Sequence, residues 1–318
     1  MNEILTGSAI TAGIDATALG LEFATVEAGT YPIGEDAGYA LAPQQWEVEE
    51  PYGVQTTQFT NTHLGTALEQ LGPKNAVLMG ALSDGTMKLL ARGTEEEING
   101  MSLHEIKRAV EESVTLADLR GLEGGFAAFN MEAFLANAIE RGPVVIKARY
   151  DLIEDEERRE KFIGPQKPAV LISWEEAKAL ALLLGDDLLK EEEWEIAARG
   201  KEKRDYATAI NKPQDDSGKK LGNFGEDWGT GSTVAVGSYP PVQIGGVNVY
   251  DLLGNVWEWT ESSYSAGGES RVLRGGSWFN VGDVLRAACR GRGGPDGRNN
   301  DVGFRLRRAA SPVTPSIV

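Results

Sequence analysis

The sequence predicts an α+β fold that is rich in loops. Three observations carry the prediction. Gly20–Gly34 alternates apolar and polar positions between glycine turns, as short strands do, and Glu47–Phe59 is a second extended stretch. Two strongly signalled helices follow, over Ser173–Leu184 and Lys190–Gly200. The last third is rich in Gly, Trp, Asn and Asp with only short strand patterns, the composition of a loop-dense fold stapled by buried aromatics.

Taken in order, Gly20–Gly34 (GLEFATVEAGTYPIG) reads as a strand pair, and Glu47–Phe59 as a second extended stretch leading into a helix through Leu71. The character changes from Pro73 to Gly164. Ser102 and Glu105 stand in capping-box spacing, and Leu103, Ile106, Val110 and Val114 follow on one helical face. Asn130–Gly142 is a further helix, Arg141–Ile153 returns to strand, and Asp155–Lys167 is a charged loop. Ser173 then caps a helix with Glu176 three residues on, Ala177, Leu180, Ala181 and Leu184 build its apolar face, and Gly185 ends it. Lys190–Gly200 is stopped by its final glycine. The tail after Ala309 is small-residue and proline-containing and should fray.

Composition limits the function. The 318-residue chain is 41% hydrophobic, enough for a sizeable core, and carries a net charge of −17, which disfavours nucleic acid as a partner. The acidic runs at Glu95–Glu97, Glu154–Glu157 and Glu191–Glu193 read as solvated faces. The segment from Trp278 to Arg308 runs the other way, with Arg286, Arg290, Arg292, Arg298, Arg305, Arg307 and Arg308, and makes one end locally basic. The longest apolar run, around Ala177–Leu184, is too short for a membrane span, and MNEILTGSAITAG has no secretory-signal pattern. One cysteine, Cys289, excludes an intramolecular disulfide. His63 and His104 are far apart in sequence and read as ordinary polar residues on helix surfaces, so Ser-His-Asp, Cys-His and His-rich metal chemistry are poorly supplied.

Four blocks, Lys167–Gly200, Val236–Thr260 (ending GNVWEWT), Arg271–Trp278 (RVLRGGSW) and Gly303–Arg308 (GFRLRR), resemble the formylglycine-generating-enzyme (sulfatase-modifying factor) superfamily and occur in that family's order. With a weaker N-terminal match the resemblance covers about two thirds of the chain. It implies a C-type lectin-like fold of the formylglycine-generating-enzyme type, built from residues 1–72 and 165–310. Residues 73–164 would form a mostly helical insertion, and 311–318 a flexible tail. Trp257 and Trp259 alternate along a strand and should anchor the loops. Gly254, Gly275 and Gly276 permit tight turns, and Trp278 should plug the core.

The enzyme branch of that family uses two cysteines just after the RGGSW-like block. Those positions fall at Asn280 and near Val284 or Leu285 here, and neither is Cys. A soft copper site needs at least two thiolates. The iron-dependent relatives need a histidine pair that this chain does not space correctly. A catalytic role is therefore not expected, although a formylglycine-generating-type oxidase stays as the alternative, as does a fixed lectin-like binding module. Enzyme relatives bind calcium near GNVWEW, which makes Asn255 and Glu258 weak calcium candidates. No other cofactor is expected.

Residues 274–305 resemble instead the variable region of diversity-generating-retroelement proteins. In these, adenine-directed copying turns AAY codons into NNY codons between framework residues. The framework here is Arg274–Trp278, Leu285–Ala288, Arg290, Pro295, Asp296, Arg298 and Val302–Arg305, including Gly275, Gly276, Arg286 and Phe304. The interspersed positions are Phe279, Asn280, Val281, Gly282, Asp283, Cys289, Gly291, Arg292, Gly293, Gly294, Gly297, Asn299, Asn300 and Asp301. None of these fourteen is Lys, Glu, Gln, Met or Trp, the residues NNY codons cannot encode. The resemblance implies a receptor- or adhesin-like protein with a protein or cell-surface ligand, cytoplasmic or phage-associated. Phe279 and Val281 would supply apolar contact, Arg292 a planar donor, and the Asn and Asp residues polar contacts. Five of the fourteen are Gly, which points to a weak or narrow binder in this variant. Cys289 is expected at an exposed loop position.

Overall fold

A computed structural model describes residues 16–67, 70, 156–227 and 231–309. The sequence expectations for Ser102–Val114, Asn130–Gly142, Arg141–Ile153 and the tail lie outside these residues, as does His104.

Two four-stranded sheets organise the described chain. The first runs in the order β1-β4-β12-β5, from Phe23–Val26 (β1), Tyr52–Gln55 (β4), Leu306–Ala309 (β12) and Asp187–Leu188 (β5). The second runs β10-β9-β8-β11, from Gly291–Gly293 (β10), Arg271–Arg274 (β9), Trp257–Ser263 (β8) and Val302–Phe304 (β11). The remaining strands form two separate pairs. Gly29–Ile33 (β2) joins Gln44–Val48 (β3), and Val242–Ile244 (β6) joins Val247–Val249 (β7). The expected strand pair within Gly20–Gly34 is therefore two strands that do not pair with each other. At the first residue of β2, Gly29 takes φ 145°, a conformation disfavoured for other residues, as the chain leaves one sheet for another.

The two central helices form as their caps require. In α2 (Trp174–Leu183), the Ser173 amide donates to Glu176 Oε2 at 2.9 Å, and the Glu176 amide donates to Ser173 Oγ at 3.2 Å. Ala177, Leu180, Ala181 and Leu184 are buried. Helix α3 (Glu191–Arg199) ends where Gly200, at φ 62°, donates its amide to Ile196. The charged stretch Asp155–Lys167 departs from the loop expected of it, since Glu156–Glu160 form a short helix, α1. Five consecutive residues with good helix propensity explain the turn.

Alternation along β8 divides the interior. Trp257 and Trp259 face one apolar cluster with Phe59, Leu180, Leu273 and Phe304, and Trp259 Nε1 donates to the Ile172 carbonyl at 3.0 Å. Glu258 points the other way, 1% exposed, and its carboxylate accepts from Arg305 Nε and Nη2, Trp194 Nε1 and Gln58 Nε2 at 2.6–3.0 Å. Arg305 also donates to the carbonyls of Gln55 and Tyr250, both at 2.7 Å, and so ties the two four-stranded sheets to the β7 exit.

The run Glu191–Glu193 is not the solvated face expected of it. Glu192 is half-buried, while Glu191 and Glu193, with Glu195 further along α3, are buried and pair with arginines from the C-terminal strands and loops. The local basicity of Trp278–Arg308 is correspondingly internal. Of its seven arginines, six face a carboxylate: Arg286 with Glu35, Arg290 with Glu191, Arg298 with Glu176, Arg305 with Glu258, Arg307 with Glu193 and Arg308 with Asp186. Arg292 has no carboxylate partner among the described residues.

Removing one member of a buried pair leaves an uncompensated charge, so Arg305→Met should lower unfolding free energy by about 3–5 kcal/mol. Denaturant titration checks this, with exposed Lys212→Met as the control that changes little.

Candidate binding surface

The C-terminal segment is built as an inner frame carrying outer loops. Arg274, with no exposed surface, donates to Glu191 and Glu195 at 3.1 and 2.9 Å and to the carbonyls of Ala287 and Cys289 at 3.2 and 3.4 Å. One guanidinium thus fixes where the chain returns after its first loop. Gly276 (φ 73°) makes the turn before that loop, where a Cβ would stand 2.8 Å from Leu285 Cδ2. Trp278 is fully buried and donates to the Asn300 carbonyl at 3.3 Å, so it joins the first loop to the second.

Outside this frame, Phe279 is 42% and Val281 63% exposed. Gly282, Asp283, Arg292, Gly294 and Asn299 are also exposed, and Asn280, Gly297, Asn300 and Asp301 are half-buried. Of these, Asn280 works inward, since its Oδ1 accepts from the Ser277 amide at 2.9 Å and from Ser277 Oγ at 2.8 Å. Asp301 also turns in, with Ser277 Oγ 3.1 Å from its Oδ2, and burial raises its carboxyl pKa.

Three positions depart from the sequence expectation. Cys289 is 5% exposed, not a surface thiol, because Ala287–Cys289 are drawn beneath the sheet edge by Arg274, and burial pushes its thiol up to about 11. On β10, alternation sends Arg292 outward and its neighbours inward. A Cβ on Gly291 would stand 3.2 Å from Leu273 Cβ and Trp257 Cζ3, and one on Gly293 only 2.5 Å from Trp259 Cη2. These glycines seat the tryptophans, and no side chain fits at Gly293 without moving a buried ring. Gly282, by contrast, faces open space, although its φ of 61° suits Gly or Asn.

Neighbours that sequence reasoning did not find complete the surface. The Gly225 amide donates to the Asn280 carbonyl at 2.7 Å and the Glu226 amide to the Trp278 carbonyl at 2.8 Å, so residues 225–226 lie alongside the first loop. The Arg292 guanidinium lies 5.3 Å from the Tyr264 ring centroid. Only the tertiary fold brings these together, and no local pattern signals them.

The calcium candidates do not fit an ion. All four donors to Glu258 are in place, and Asn255 Oδ1 already accepts from the Val234 amide and Asn223 Nδ2. A cation there would displace Arg305. Among the described residues no three His, Cys, Asp or Glu side chains group as metal ligands. His63 is partly buried on Phe59, with Nδ1 accepting from the Thr60 amide, and desolvation lowers its pKa to about 4. It is not the surface histidine expected.

These sheets and long loops make a C-type lectin-like domain of the formylglycine-generating-enzyme type. The chain belongs to the sulfatase-modifying factor enzyme 1-like domain family, which matches residues 15–310. It is 39% identical over 155 residues to the inactive C-alpha-formylglycine-generating enzyme 2 of Bos taurus, covering 45% of this chain and 50% of that protein. It is 33% identical over 173 residues to the formylglycine-generating enzyme of Streptomyces coelicolor, covering 46% and 54%. The chain thus spans about half the length of these relatives. Among solved structures, PvdO from Pseudomonas aeruginosa matches 91% of this chain and 94% of its own at 19% identity and a TM-score of 0.55. Treponema denticola variable protein 1 matches 91% and 95% at 16% identity and 0.51. These likenesses show the fold. No described helix is long and apolar enough to cross a membrane.

Gly293→Ala should cost about 1–3 kcal/mol in chemical denaturation, whereas Val281→Ser should stay within about 0.5 kcal/mol. Near pH 8 a thiol reagent should leave Cys289 largely unmodified in the native protein and label it readily in denaturant.

Proposed function

We propose that this chain is a non-catalytic ligand-binding protein whose 279–301 surface is diversified by a retroelement, with a protein or cell-surface ligand. The observation that carries the reading is the division of residues 274–305. The inferred framework residues Arg274–Trp278, Leu285, Ala287, Ala288 and Val302–Arg305 are buried, whereas Phe279, Val281, Gly282, Asp283, Arg292, Gly294 and Asn299 are exposed. Such a division lets side chains change while the ion pairs and tryptophans beneath them stay in place. The fold shared with Treponema denticola variable protein 1 supports the reading. So does the lack of a second cysteine, without which the family's oxidase chemistry has no thiol pair. In this reading the variable set is the outward one, and Gly291, Gly293 and Cys289 are held by packing. Binding would rest on Phe279 and Val281 as apolar contacts and on Arg292, the arginine of the segment left for a partner's carboxylate or amide.

Nucleotide sequencing of the stretch encoding Arg274–Arg308 across a population, with its genomic neighbourhood, tests the proposal. A nearby near-repeat that differs only where it carries adenine, beside a reverse transcriptase gene, is expected. An invariant stretch without such a repeat would leave a fixed binding module on the same fold.

A further inference from the structure

Glu175 stands in the first turn of α2 and is 0% exposed, and neither of its carboxylate oxygens has a hydrogen-bond partner among the described residues. A buried carboxylate without donors is strongly disfavoured as an anion. Above it lies the second loop of the binding surface. The Glu175 amide donates to the Pro295 carbonyl at 3.3 Å, the Leu171 amide donates to the Asn299 carbonyl at 3.0 Å, and Arg298 reaches Glu176 at 3.3 Å. The loop is thus docked on the start of α2 directly over the orphaned acid.

We propose that Glu175 is a protonation switch for this loop: the docked arrangement belongs to the neutral acid, and ionisation of Glu175 releases residues 295–299 from α2. The charged groups facing it come from each neighbouring element. Asp296, in the loop, and Glu176, on its own helix, oppose ionisation, while Arg298 in the loop and Arg271 on β9 favour it. Burial is the largest influence and, with these charges, pushes the carboxyl up to about 7. Arg298 is already engaged by Glu176, and Arg271 stacks on Trp174 at 3.7 Å, so neither can turn to Glu175 without breaking an existing contact, which for Arg298 is one that holds the loop. Once Glu175 is ionised, its desolvation and the repulsion of Asp296 act against the docked loop, and the attraction of Arg298, already spent on Glu176, only partly offsets them. The switch is independent of what the surface binds, but it moves Asn299, so the binding face would change shape with pH.

Hydrogen exchange of the full chain, near pH 5.5 and near pH 8.5 and corrected for intrinsic rates, tests this. In the wild type the amides of Leu171 and Glu175, which donate to the Asn299 and Pro295 carbonyls, should exchange at least about tenfold faster at the higher pH, while β8 amides stay unchanged. Glu175→Gln should abolish the difference. Asp296→Asn, a change at an exposed position that leaves the fold intact, should move the midpoint of the transition to lower pH, because Asp296 opposes ionisation. Exchange of the Leu171 and Glu175 amides that is insensitive to pH in the wild type, an unchanged pH response in Glu175→Gln, or a midpoint that does not fall in Asp296→Asn would each overturn the proposal.

Discussion

The structure depends on the pairing of buried arginines with buried glutamates. Arg274 sits between Glu191 and Glu195 and holds the carbonyls of Ala287 and Cys289, while Arg305 sits against Glu258 and holds the carbonyls of Gln55 and Tyr250. Each guanidinium satisfies a carboxylate and loop carbonyls at once, as its fork of donors allows. A domain with strands of two to seven residues has few ladder bonds with which to place its loops. These pairs place them instead. They cost desolvation, and packed apolar residues of similar volume often serve stability as well. What the pairs supply is a defined path for chain that has no regular structure.

That arrangement explains why the surface can be separated from the scaffold. The ions and tryptophans lie beneath the two outer loops, and the residues facing water take little part in them. Phe279 touches Trp278 only edge-on, with centroids 6.0 Å apart, and Val281 stands over Gly225. The separation is incomplete at Asn280 and Asp301, whose side chains meet Ser277. Changes there would alter the turn after Gly276 as well as the surface.

Much of this architecture is legible in the amino-acid sequence, and the limits have physical causes. Ser173 with Glu176, and the glycine after Arg199, act within one turn of chain, so their sequence signals correspond directly to the caps. The placement of Trp257 and Trp259 follows from the two-residue period of a strand. The burial of Glu191 and Glu193 is not legible, because their arginine partners lie more than eighty residues away and a run of acids reads locally as a wet face. Gly293 reads as variable because codon logic sees only the residue type. Its constraint comes from the Trp259 ring across the sheet. The exposure expected of Cys289 fails for a similar reason, since a long-range carbonyl contact to Arg274 draws that stretch inside.

The separation of scaffold from surface can be measured most directly with two displayed libraries scored for protease resistance. One randomises Phe279, Val281, Asp283, Arg292 and Asn299 with NNY codons, and the other randomises Arg274, Trp278, Leu285, Gly293 and Arg305 in the same way. Most members of the first library should stay folded and very few of the second should. Similar survival in the two libraries, or collapse of the first, would contradict the separation.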